Sequence, residues 1–206
     1  SGGPPQYYFA LCRIIKDRFK DFSPEGYDDW KIEQSQEKIE AADRKIKDMN
    51  KMVTSYVFGL FRKIYPDNPN DYWDKGVANP DIQATAYKTS LDDDIERRLQ
   101  LENYLDFIQF EKIISKKHWL LFKDVFNIPE KGEKGISKNL KWMQRLNKLR
   151  RIPAHATEAR QYTVEDFEYI DWIYEEFTKR LEIAKSREDE IIQKFKESQN
   201  KSKKEE

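Results

Sequence analysis

The sequence predicts an all-α helical bundle built around two long heptad-patterned helices. Three observations predict it. Apolar residues recur at three- and four-residue steps along most segments. Seven Gly and eight Pro in 206 residues are too few for a turn-rich β protein. Charged residues reach 37%, against about a quarter in typical domains, yet twelve Phe, eleven Tyr and five Trp supply a core. That combination describes amphipathic helices with wide solvated faces. The charges balance at zero, and the abundant aromatics exclude disorder except at the ends.

Residues 7–20 read as a first helix, with Tyr8, Leu11, Ile15 and Phe19 at helical spacing, and Ser23-Pro24-Glu25-Gly26 breaks it. A long helix follows over residues 29–65. Its seam of Ile39, Ala42, Ile46, Met49, Val53, Tyr56 and Leu60 steps three and four throughout and asks for a partner helix. Pro66 ends it, and the stretch to Pro80 reads as a loop. Helix resumes at Asp81, and Ser90 with Asp92, Asp93 and Asp94 reads as a fresh N-terminus, not as a metal cluster.

Residues 101–126, the most apolar stretch, read as two or three short core helices. Gly132 and Gly135 mark a loop, and a helix spans 137–151 until Pro153. The last helix starts near Thr163, a hydroxyl cap ahead of Glu165 and Asp166. It carries a second seam of Phe167, Ile170, Tyr174, Phe177, Leu181, Ala184, Ile191 and Phe195. The two seams can pair within one chain or across a dimer.

The expected organisation is a tag scar at 1–3, an N-terminal helical extension at 4–80, a bundle at 81–197 and a polar tail at 198–206. The scar suggests an excised part of a larger protein. No apolar run of about eighteen residues exists, so no membrane span is expected. The lone Cys12 cannot form an internal disulfide. Without a signal peptide, the expected location is the cytoplasm.

With two His and one Cys, a His/Cys zinc site is not expected, and no Gly-rich phosphate loop or Ser/His/Asp set is present, so neither metal nor cofactor is anticipated. The neutral net charge leaves nucleic-acid binding to a local patch.

That patch is the segment KNLKWMQRLNKLRR, residues 138–151, which holds six basic residues and no acid. A helical wheel puts Lys138, Lys141, Arg145, Lys148 and Arg151 on one side, and Trp142, Met143, Leu146 and Leu149 on the other. Arg150 falls on the apolar side beside Asn147. A guanidinium aimed inward must be paired or must serve a polar pocket. It ties helices together, or it serves a site. His155 follows five residues later, whereas His118, beside Trp119, reads as a core or helix-end residue.

The string Leu149-Arg150-Arg151-Ile152-Pro153-Ala154-His155, set between a helix carrying Trp142 and a long acidic-aromatic helix, resembles the HEPN superfamily of helical bundles. The family motif is Arg, four to six residues, then His, usually with a small polar residue after the Arg. Arg150 and His155 match that frame with four residues between; Arg151 departs from it, and Pro153 stiffens the turn. The similarity extends over about 104–181.

It implies a C-terminal module of a larger defence (phage-defence) or RNA-processing protein: a homodimeric, metal-independent endoribonuclease. Arg150 and His155 would be catalytic, Asn147 and Arg151 supporting, and Lys138, Lys141, Arg145 and Lys148 would guide RNA. Non-catalytic HEPN-like interaction domains are the alternative that the same resemblance implies.

Overall fold

The computed structural model describes residues 11–202 apart from 13, 17, 23, 116, 131–134 and 152–161; at 28–35 and 202 it describes the backbone alone. Among the described residues there is helix and no strand, as the periodicity predicts. Contacts divide the chain into Ser1–Asp43 and Arg44–Glu206, so the boundary expected near residue 80 lies inside the second unit. Among the described residues, no helix is long and apolar enough to cross a membrane.

In the first unit, residues 11, 12, 14–16 and 18 are helical. The buried side is that of Cys12, which packs with Tyr27 and half-buried Phe22. Leu11 and Phe19, expected to face a core, are exposed. A turn over Pro24-Glu25-Gly26, with Gly26 at φ 77°, leads into helix α1, Tyr27–Ile64.

The second unit holds the aromatic core. In α1, Ile46, Met49, Val53, Tyr56 and Leu60 are all buried. This part of the seam is covered by the chain's own residues. Val57, Phe58 and Phe61 are buried too, so this part of α1 is surrounded on nearly every side. Each such side chain contributes about 1.5–3 kcal/mol by leaving water.

Helix α2, Asp71–Val77, occupies a stretch that the sequence reads as loop. Burial overrides the local turn signals: Trp73 stacks on Phe58, and Gly76 abuts the Phe61 ring. Helix α3, Pro80–Ser90, starts on Asn79, whose Oδ1 accepts from the N–H groups of Asp81 at 3.1 Å and Ile82 at 3.3 Å. Proline at N1 suits that start because its missing N–H is not needed there.

Ser90 ends α3 and does not open a new helix: it is buried, and its hydroxyl donates to the Tyr87 carbonyl at 2.7 Å. Two 3-10 turns follow, Ile95–Arg97 and Leu101–Tyr104.

Helices α4, Phe107–Ile114, and α5, Trp119–Phe126, are the expected short core helices. The next helix comes in two pieces, α6, Ile136–Asn139, and α7, Lys141–Leu149, parted at Leu140 (φ −100°, ψ 2°). The kink lets Leu140 bury fully while Ile136 stays half exposed.

The last helix is also divided, into α8, Val164–Ser186, and α9, Glu188–Ser202, at Arg187. The sequence seam skips an apolar residue there, with Glu188 in the gap. The bend returns Ile191 and Phe195 to the core. Along α8 the buried line runs through Ile170, Ile173, Phe177, Leu181 and Ala184, with Ile173 replacing the expected Tyr174. Thr163 caps α8 as expected, accepting from the Asp166 N–H at 3.2 Å. Helix α7 packs on α4 and α8, while α5 packs on α8 and α9.

Candidate functional site

Helix α7 is fixed by its apolar face. Trp142, Met143, Leu146 and Leu149 are buried, as the wheel requires. The indole N–H of Trp142 donates to the Phe126 carbonyl at 3.2 Å, and its ring lies 5.6 Å from that of Phe177. Gln144 donates to Glu111 of α4 at 2.8 Å. These contacts hold the end of α7 against α4, and the guanidinium of Arg150 is delivered there.

Arg150 is the C-terminal cap of α7, its N–H bonded to the Leu146 carbonyl at 2.9 Å. Its side chain, about a third exposed (32%), forms a fork with Asp106: Nη1 donates to Oδ1 and Nη2 to Oδ2. Its Nε is buried without a partner among the described residues. Asp106 is the N-cap of α4, and its N–H donates to the Gln109 side chain at 2.9 Å. The inward Arg of the wheel is therefore paired. The carboxylate that pairs it was readable in the sequence as an N-cap, Asp before Phe107 with Gln at the third helical position, but not as this partner.

Asn147, one turn before Arg150, is buried at 5% exposure, and its Oδ1 accepts no hydrogen bond among the described residues. Tyr162 closes the other flank, donating to the Leu149 carbonyl at 3.2 Å. His155, Ile152, Pro153 and Ala154 lie outside the described residues.

The expected basic stripe divides. Lys138, Lys141, Lys148 and Arg151 are exposed. Arg145 is half-buried: its guanidinium lies over the Tyr169 ring at 3.7 Å, with Glu165 at 3.6 Å and Asp166 at 3.8 Å. Arg145 thus joins α7 to α8. Beneath it, the Tyr169 hydroxyl donates to Glu130 at 2.9 Å, and burial, with Glu130 beside it, pushes that phenol far above its usual range.

His118 precedes α5 as its N-cap and is 1% exposed, a core and helix-end residue together. Phe61 meets it edge-on at 4.7 Å, Phe122 lies at 6.4 Å and Phe195 at 6.1 Å. Neither ring nitrogen has a partner among the described residues. Burial, with Lys117 adjacent, drives its pKa down to about 4.

The chain matches no protein-family model, no curated protein and no solved structure.

Proposed function

We propose that this chain is a HEPN-type module that acts on RNA as a homodimer, cutting it without a metal through Arg150 and His155. The observation that carries this reading is the guanidinium of Arg150. It is oriented in a fork by Asp106 at the end of α7 and remains about a third exposed, a few residues before His155 in the chain.

In the proposed reaction the 2′-oxygen of a ribose attacks phosphorus as its proton passes to the imidazole of His155. The P–O5′ bond breaks, and the departing oxygen takes a proton from the second His155 of the dimer. The products are a 2′,3′-cyclic phosphate and a 5′-hydroxyl. Histidine suits both transfers because its ordinary pKa lies near neutrality. Arginine suits the charge that develops on the phosphoryl oxygens. Lys138, Lys141, Lys148 and Arg151 would draw the RNA backbone, and Asn147 would brace Arg150 from below. Arg145 leaves this set, since Tyr169 and two carboxylates engage it.

A second reading, a helical interaction domain without catalysis, is favoured by a specific observation. Both terminal nitrogens of Arg150 are already bonded to Asp106, so the pair also works as a tie between α7 and α4.

One experiment separates the two. Purified protein is incubated with single-stranded RNA in excess EDTA, and product ends are mapped. Cleavage to cyclic phosphates that disappears in His155→Ala and spares deoxy substrates supports the ribonuclease. Intact RNA from a dimeric, folded sample supports the interaction domain.

A further inference from the structure

A groove of ≈ 580 Å³ runs between α5 and the bend that joins α8 to α9, away from α7. Four cations line it, Lys123 from α5, Lys179 and Arg180 from α8, and Arg187 at the bend, against two carboxylates, Asp124 and Glu176. Its floor is apolar, with half-exposed Ile183 beside Ala184.

Of the two acids, Glu176 accepts from Nε of Arg180 at 2.6 Å, and four cations face two carboxylates in the lining. Arg187 is bound to Glu190 through two hydrogen bonds, of 3.0 and 3.2 Å. What is left over is positive. Lys123 and Lys179 pair with no carboxylate among the described residues.

Arg180 is held rigid, because its Nη1 also donates to the carbonyl of Asn127, the cap of α5, at 3.0 Å. Its Nη2 keeps no partner among the described residues. A guanidinium anchored through Nε and Nη1, with Nη2 left to donate, can bind an anion with little loss of side-chain freedom. The volume falls within the range of small-ligand sites.

We infer that this groove binds a small, multiply charged phosphate ligand. Nη2 of Arg180 donates to one phosphoryl group, and Lys123 and Lys179 flank the rest. Nothing in this inference depends on the RNA reading, which concerns α7.

The test is calorimetric titration of the full chain with inorganic tripolyphosphate at low ionic strength, with sulfate at matched ionic strength as control. The expected result is saturable binding to wild type, weakened at least tenfold by Lys179→Glu and lost in the Lys123→Glu/Lys179→Glu pair. Lys138→Glu/Lys148→Glu, on α6 and α7, should keep wild-type affinity. Arg180→Gln should also weaken binding; because it loosens α5, the exposed lysine variants carry the decision. The inference is overturned if tripolyphosphate binds no better than sulfate. It is equally overturned if the α6 and α7 variants weaken binding as much as the groove variants.

Discussion

Asp106 meets Arg150 through both carboxylate oxygens, joining the N-cap of one helix to the C-cap of another across 44 positions of sequence. The carboxylate favours the N-terminus of α4, where backbone N–H groups leave positive charge, and the guanidinium favours the C-terminus of α7. Each charge therefore suits its own helix as well as its partner. Since both side chains are about a third exposed, at 32% and 31%, solvent screening keeps the coupling modest. In a double-mutant cycle, Arg150→Ala and Asp106→Asn should each lower unfolding stability by about 1 kcal/mol, with a coupling of roughly 0.5–1 kcal/mol. Strictly additive losses in urea denaturation would mean that the fork does not hold the helices together.

His118 makes stability depend on pH. Its folded pKa of about 4 lies below its ordinary value of 6.5, so the unfolded chain binds this proton more readily than the folded one. The stabilisation is complete above pH 6.5 and is lost as pH falls from there toward 4. Each unit corresponds to about 1.4 kcal/mol, so acidification from pH 7 to 5 should remove roughly 2 kcal/mol. His118→Phe, placed among Phe61, Phe122 and Phe195, should flatten that slope, since the imidazole nitrogens have no partners to lose. A slope that survives His118→Phe but vanishes in His155→Ala would contradict the assignment.

Two glycines in helices should respond oppositely to alanine. A Cβ at Gly59 meets nothing within 4 Å, so Gly59→Ala should stabilise by roughly 0.5–1 kcal/mol through lower chain entropy. A Cβ at Gly76 would sit 2.5 Å from the buried Phe61 ring. Gly76→Ala should therefore destabilise by about 1–3 kcal/mol through overpacking. Paired thermal melts check both signs.

What could be read from the sequence follows from how local each signal is. The long α1 seam, the Thr163 cap and the two faces of α7 rest on contacts within a few residues, and the structure places them as expected. The bend at Leu140 was hidden because helical spacing continues through it, and the bend at Arg187 left only the apolar step missing at Glu188. Burial of Trp73 turned an apparent loop into α2. At the candidate site, the inward aim of Arg150 was legible. Its tie to Asp106 was not, because no pattern links positions 44 residues apart. Arg145 shared the period of the exposed lysines, yet Tyr169, visible only once α8 is packed, draws it away.

The RNA reading predicts a particular salt dependence. Each cation that neutralises a phosphate of single-stranded RNA contributes about −0.7 to the slope of log affinity against log salt. Lys138 on α6 and Lys148 on α7 stand exposed, so replacing both with Gln should make that slope shallower by about 1.4. His155→Ala should leave the slope unchanged while ending cleavage, because it moves protons and does not anchor the backbone. Arg150→Ala should weaken binding and cleavage together. Asp106→Asn releases the guanidinium from its carboxylate, so it should tighten RNA binding even as it lowers stability. Fluorescence anisotropy with labelled RNA, read alongside light scattering to establish the dimer, measures all four variants. If Asp106→Asn weakens binding as much as Arg150→Ala does, the pair serves only to join α7 to α4, and the interaction-domain reading takes its place.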